Sequence, residues 1–532
     1  MPDPTIEKQM TAYITLLSEQ KIEDLEEALN KFQQTEKIVK NIYYSLGDAL
    51  EEYNSVKKMW CYNYITTLRS LAKRKIDEAI SEILMHADEH LLKPPEPVSS
   101  TLTATSKHMK GALDPVQVKE TYIKSQREEI RVGLWLNYQN TGHKFKPIDF
   151  DELTMYADMP RQYADDPCVM RAMWTNSNLI STMIETPELV VGGVYEVHIY
   201  RFPELPKNVR EWRLRPVKTL ENMLVQRPYP PSDLISGMSL SNINPLKMMY
   251  QLPSNVYLPD PNGYKVCWWD STTLSWSNNE ISDLNFDAVS KTIAFKIKKL
   301  APLAVVIPRI TDYPYSYFYL RAVSDDQVLL DITGKRMPFS FIITPGNLEF
   351  VNTQNIIELR YLEGVKMPPG ALLFELSTCG VHLIPEPRDC EASGIKNKSL
   401  DAEELAIMDL SMNIRTFAFR SSKWNKDASE EMVLVRVREN LEYDSFFAED
   451  EEHDWRTVAW HANKCHFVNA RENASEMNLN IPQGHETHFM LQIAMNGNCT
   501  ELAENRMNEL KSVDLSDTVK KTLRLLKILS FT

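Results

Sequence analysis

The densest collection of potential metal ligands in the chain is His461, Cys465 and His466, followed by His485 and His488 about twenty residues on. Zinc asks for four ligands converging tetrahedrally, usually supplied as two close pairs of Cys or His. Cys465 and His466 are adjacent, so in a strand they point to opposite faces. His485 and His488, three apart, would also diverge there. His485-Glu486-Thr487-His488 is one residue short of the HExxH spacing that sets two imidazoles on one helix face. Ordinary polar and core residues are the better account of this group, and an orphan hydrolase built on it is the weakest of three readings.

Other chemistry is sparse. The sequence contains no GxGxxG, GxxxxGK[ST], GxSxG or HExxH. Gly334-Lys335-Arg336 lacks the upstream glycine of a phosphate loop and the Ser/Thr that would meet magnesium, so it reads as a hairpin turn. Asp165-Asp166 and Asp325-Asp326 read as solvated turns. In the centre, Cys267-Trp268-Trp269-Asp270, Leu274-Ser275-Trp276-Ser277 and residues 294–304 resemble the last hairpins of autoproteolysis-inducing sandwiches. There a His-Leu-Ser/Thr tripeptide precedes the final strand, the hydroxyl attacks the preceding carbonyl and the histidine is the base. The matching Lys299-Leu300-Ala301-Pro302 supplies neither group. No catalytic, cofactor-binding or metal-ligating residue is assigned, no cofactor is expected, and the chain reads as a protein that is not an enzyme.

The elements that would position any site begin with helices. Ile22, Leu25, Leu29, Phe32, Val39, Tyr43, Leu46, Leu50 and Tyr53 recur at three- and four-residue steps, broken at Glu36. The pattern resumes through Ile65, Leu68, Ala72, Ile76, Ala79 and Ile83. This is a/d spacing, and it predicts two long helices, packed on each other or on a partner helix. Residues 93–115, rich in Pro, Ser and Thr, read as a linker, followed by a short strand over 130–138 and an irregular stretch to about residue 187.

From Leu189 the period changes to two. Runs at 190–199, 264–269, 292–297 and 304–307, punctuated by Pro, Asn and Asp, predict an antiparallel sandwich. A second group of runs lies at 317–323, 328–332, 339–343, 348–351 and 356–359, before a helix over 371–378 capped by Gly380. The last part mixes a helix over 401–410, a strand over 432–437, an acidic loop at 449–452, and a strand over 488–494. Helices over 500–511 and 516–529 close it, with Thr500 and Ser516 as N-caps. The chain therefore reads as an α+β multidomain protein. Its parts are a helical hairpin or coiled coil (1–92), a linker with a short strand (93–188), a central β-sandwich (189–312), a second β-rich module (313–395) and a C-terminal α+β module (396–532).

Composition limits the partners. Lys+Arg 59 against Asp+Glu 73 gives a net charge of −14, which argues against broad capture of nucleic acid or an anionic membrane. Glycine, at 16 of 532 residues, is scarce for a class of enzymes whose phosphate loops consume it. No run approaches the roughly 18 apolar residues of a membrane span. The opening MPDPTIEKQM lacks the basic and apolar regions of a secretory signal. Seven scattered cysteines without a CxxC point to a reducing, intracellular setting.

Several strings then carry a resemblance. Gly192-Gly193-Val194-Tyr195, Tyr229-Pro230-Pro231, Trp276-Ser277 before Ile281-Ser282-Asp283, Leu300-Ala301-Pro302 and Pro314-Tyr315 before Leu320-Arg321 occur in this order. Phe417-Ala418-Phe419 before Ser422-Lys423-Trp424-Asn425 is the most specific of them. In these the chain resembles the axonemal dynein intermediate chain 7 family, also called cancer susceptibility candidate 1. Phe318 and Ala322 depart from the Trp and Pro common in that family, and its long acidic insertion ahead of the sandwich is missing. The resemblance implies a non-catalytic subunit of axonemal inner-arm dynein. Its partners would be dynein heavy and intermediate chains and tubulin of the doublet microtubule, with no nucleic acid and no membrane. It would reside in the axoneme of a cilium or flagellum, and in cytoplasm before assembly. A cytoplasmic dynein-arm assembly factor is the alternative. Lys73-Arg74-Lys75 and Arg210–Arg215 are the basic groups that could meet acidic tubulin.

Overall fold

The computed structural model describes residues 2–52, 54–93, 116–138, 146–163, 166–178, 186–215, 217, 219–231, 243–260, 262–440, 454–509 and 512–532. Tyr53, residues 94–115 of the linker expected over 93–115, Asp165 and the acidic run 449–452 lie outside the described residues.

The N-terminal region is helical: α1 (Glu7–Glu19), α2 (Leu25–Glu51), α3 (Ser55–Met85) and the short α4 (Ala87–Leu91). The side chain of Asp24 accepts from the N–H of Glu27 at the start of α2, and that of Asn54 from the N–H of Lys57 at the start of α3. α2 and α3 fold back on each other as the heptad pattern requires, and α1 lies across them through Met10 and Leu17. The expectation of two helices thus becomes three, with a fourth short one. The seam is covered from within the chain. Leu25, Leu29 and Phe32 pack with Ala72, Ile76 and Ala79 onto a β-sheet. Val39 and Leu46 pack with Cys61, Ile65 and Leu68. A partner helix is therefore not what completes the seam.

That sheet is one half of a sandwich. Its strands run, in spatial order, Ser275–Ser277, Lys265–Asp270, Leu303–Pro308, Glu188–Arg201, Cys168–Thr175, Ile130–Asn137 and Glu120–Arg127, with Gln226–Arg227 also on Glu188–Arg201. The facing sheet has Ile281–Asp287, Thr292–Ile297, Leu246–Gln251, Met155–Met159 and Lys146–Phe150. All the pairings are antiparallel. Trp135, Trp174, Tyr195, Tyr250 and Phe295 fill the space between the sheets. Val132, Leu134, Leu136, Val169 and Met173 point the other way, into the helices. Residues 168–175 are buried at every position, because this strand has a sheet on one side and helices on the other. Such a strand shows no alternation, and that is why the stretch read as irregular. The sandwich therefore begins well before residue 189, and the expected boundary at 188/189 falls at the start of a strand paired on both sides.

A nine-stranded antiparallel sheet follows, ordered Lys366–Met367, Asn347–Val351, Pro338–Thr344, Gln327–Thr333, Tyr317–Ser324, Phe417–Ser421, Met432–Glu439, Arg456–His461 and Lys464–Val468. Tyr317–Ser324 pairs with Phe417–Ser421, so hydrogen bonding runs across the expected 395/396 boundary. Helices α5 (Pro369–Thr378), α6 (Leu400–Met412) and α7 (Val513–Leu526) cover one face through Leu372, Leu376, Ile407, Leu410, Val519 and Leu523. α5 also crosses α2, where Gly47 meets Gly370 so closely that a Cβ on either would lie under 3.0 Å from the other's Cα.

Three local expectations differ from the structure. Residues 356–359 lie not in a strand but mostly in the 3-10 turn Ile357–Leu362, because the Asn352 side chain takes both the N–H and the C=O of Ile356 at 2.9 Å. Residues 488–494 do not form a strand. His488 pairs with Cys465, after which Asp409 accepts from the N–H of Leu491 at 2.9 Å and the chain turns into helix Leu491–Met495. Ser512 rather than Ser516 caps α7, accepting from the N–H of Leu515.

Candidate interaction surface

The histidines and cysteine of the 461–488 group lie around a strand hairpin. Cys465 is buried and its thiol is pushed up to about 12 by desolvation. His461 is exposed, with Nδ1 2.9 Å from the carbonyl oxygen of Glu431. His485 packs on the ring of Phe467. Among the described residues no three His, Cys, Asp or Glu side chains are grouped to hold a metal ion. Gly334-Lys335-Arg336 forms the turn between two strands, and Arg336 holds both carboxylate oxygens of the buried Asp312 at 2.8 and 2.9 Å. Lys299 stacks over Trp268, on the crossing from one sheet of the sandwich to the other.

One hydroxyl and imidazole do meet: Ser377 Oγ lies 3.0 Å from His382 Nδ1. Both are buried, and the Ser377 hydroxyl also donates to the carbonyl of Leu373 in its own helix at 3.0 Å. A proton already committed to a carbonyl is not one a base is poised to remove.

The most specific string serves packing. Ser422 Oγ donates to Glu472 at 2.6 Å, and the Trp424 indole N–H donates to the carbonyl of Arg471. Asn425 donates to the carbonyls of Leu529 and Thr532 and accepts from the N–H of Leu434. These three residues tie a loop, a strand and the C-terminal residues 529–532 together.

The two basic groups differ. Lys73 holds the buried Glu196 at 2.7 and 2.8 Å, and Lys75 is buried against Glu78 at 2.8 Å. Arg74 pairs with Glu78 at 3.2 Å within its helix. Lys73-Arg74-Lys75 is therefore mostly an internal fastening. Arg210–Arg215 lies on a projecting two-stranded ribbon, Lys207–Val209 against Trp212–Leu214. Trp212 faces Val209 and Leu214 faces Lys207, so these four share one side. Arg213 points to the other side, where it pairs with Asp88 of α4, while Arg215 pairs with Asp88 and Glu89 and donates to the carbonyl of Met85 at 3.0 Å. The inner side is bolted to the helix and the outer side is left to solvent, with Trp212 75%, Leu214 56% and Val209 49% exposed. The sequence signal for this was present in Trp212 and Leu214 alternating with Arg213 and Arg215. The turn, Arg210-Glu211, contains no Gly, Asn or Pro, so no turn residue marks a ribbon here.

Other exposed apolar residues are Met408 and Met412 on α6, and Phe489, Met490 and Ile493 in and just before helix Leu491–Met495. No helix among the described residues is long and apolar enough to cross a membrane.

Comparison with known proteins adds to this geometry. Residues 1–97 match the family described as Cancer susceptibility candidate 1 N-terminus. Dynein axonemal intermediate chain 7 of Mus musculus is 22% identical over 372 residues, covering 66% of this chain and 49% of that protein. The Danio rerio protein of the same name is 21% identical over 370 residues, covering 67% and 49%. The Ciona intestinalis homolog is 24% identical over 290 residues, covering 49% and 38%. The chain spans about half the length of the curated relatives it matches.

Proposed function

We propose that the chain, which is similar to the axonemal dynein intermediate chain 7 proteins, is a non-catalytic structural and regulatory subunit of axonemal inner-arm dynein. It contacts dynein heavy and intermediate chains and the tubulin of the doublet microtubule, and contributes to attachment and to beating. It resides in the axoneme, with a cytoplasmic pool before assembly. The observation that carries the reading is the match of residues 1–97 to the family, together with similarity that continues across two thirds of the chain in the mouse relative. Ser377 and His382 are buried, and the Ser377 hydroxyl is held by the carbonyl of Leu373. Polar clusters in this molecule fasten elements to one another.

Salt extraction of axonemes tests the proposal. The protein should leave the doublets with the inner-arm heavy chains and sediment with them. Recovery from the cell body alone, with none in purified axonemes, would replace this reading with that of a cytoplasmic assembly factor.

A further inference from the structure

Within residues 201–218 the sequence places six cations (Arg201, Lys207, Arg210, Arg213, Arg215 and Lys218) against two carboxylates (Glu204 and Glu211), in a chain whose net charge is −14. The ribbon in this stretch shows its apolar side, Val209, Trp212 and Leu214, to solvent. A tryptophan three-quarters exposed, held on a ribbon whose other side is fixed by ion pairs, is the kind of anchor that dominates the energetics of interfaces. Solvent-facing apolar side chains grouped this way mark a surface that some partner covers.

We propose that this ribbon docks an acidic protein segment that seats an apolar side chain against Trp212, Val209 and Leu214 while its carboxylates meet Lys207 and Arg210. Two other occupants are disfavoured by charge. Arg213 and Arg215 are already met by Asp88 and Glu89, so a second copy of the chain would set Lys207 and Arg210 against the same two cations. An anionic bilayer would face the acidic body as well as the ribbon, whereas a peptide segment touches the ribbon alone. Lys207 is held at 3.2 Å by Glu204, but both are about three-quarters exposed, so that pair is weak and exchangeable. Arg210 sits exposed at the turn with a positive φ of 57°. The inference does not depend on which protein supplies the segment, and it stands or falls separately from the axonemal assignment.

The test uses the full chain and a fluorescently labelled synthetic peptide with a central Phe-Val flanked by glutamates. Two control peptides replace the glutamates with lysine or the Phe-Val with Ser-Ser. Fluorescence anisotropy should show binding of the first peptide alone, weakening as salt rises. Trp212→Ser should weaken it at least about tenfold, with circular dichroism and thermal midpoint unchanged because the side chain is exposed. Arg210→Gly, which suits the positive φ, should weaken it and flatten the salt dependence. Failure of the glutamate peptide to bind would overturn the proposal, as would equal binding by Trp212→Ser. So would a concentration-dependent dimer lost in Trp212→Ser, or binding to phosphatidylserine vesicles in place of the peptide.

Discussion

Glu36 interrupts an otherwise regular apolar seam, and the structure explains the interruption. Its carboxylate receives both Nε and Nη2 of Arg69 at 2.9 Å, with Tyr43 Oη 3.2 Å from the same guanidinium, all between α2 and α3. Burial alone would lower the Arg69 pKa; the carboxylate more than offsets it and holds the group charged. Removing one partner strands the other, which typically costs about 3–5 kcal/mol, whereas replacing both with apolar groups is often neutral. Glu36→Ala should therefore lower the urea midpoint sharply, and Glu36→Leu with Arg69→Met should recover most of it. A single variant as stable as the parent would show that the pair carries no weight. Two histidines, His382 buried and His198 partly buried, set a pH limit. His198 is driven down to about 3 by burial and the Arg171 guanidinium, and His382 to about 3 by burial and Arg309. The unfolded imidazoles take up protons near pH 6.5 while the folded ones stay neutral, so stability falls as pH drops below that value. Between about pH 6 and pH 5 each histidine should add about 1.4 kcal/mol per pH unit to the slope. His198→Gln with His382→Gln should flatten it, and an unchanged slope would count against this account.

At the scale of elements, the crossing of α2 and α5 rests on two glycines rather than on side chains. Alanine at position 47 would gain about 1 kcal/mol of helix propensity. It would also press a methyl group 2.9 Å from the Cα of Gly370, and overpacking of this kind costs about 1–3 kcal/mol. Gly47→Ala should thus lower the thermal midpoint, and a rise would mean the helices can separate without loss. Period-based reading found the elements that bury one face: Thr292–Ile297 alternates cleanly and its bounds match the expectation. It missed those buried on both faces, such as Cys168–Thr175, which show no period at all. It also failed where one side chain captures a backbone group, as Asn352 does for Ile356 and Asp409 for Leu491. No count of apolar residues registers those bonds. The ribbon was legible as a basic cluster, but which side of it faces solvent depends on Asp88 and Glu89, over a hundred residues earlier in sequence.

For the molecule as a whole, the family-matching N-terminal segment is structural cover for the sandwich. α2 and α3 lie over Val132, Leu134, Leu136, Val169 and Met173, and burying each such side chain contributes about 1.5–3 kcal/mol. A chain lacking residues 1–93 should expose that face, bind the dye ANS and aggregate on expression. A soluble, monomeric 116–532 fragment with a sharp thermal transition would show the helices to be a separable tail. Charged residues at Leu25 and Leu29 should act through the same face, with loss of solubility before any loss of partner binding.

The Gly47–Gly370 crossing also has a meaning in time. Synthesis delivers α2 long before the helix it must grip: about 320 residues separate the two glycines, or on the order of tens of seconds at 5–20 residues per second. Through that interval the Gly47 end of the hairpin waits on the ribosome with its groove empty. A nascent chain arrested ahead of Pro369 should be cut by protease within α2 near that groove, and one arrested well beyond Thr378 should resist.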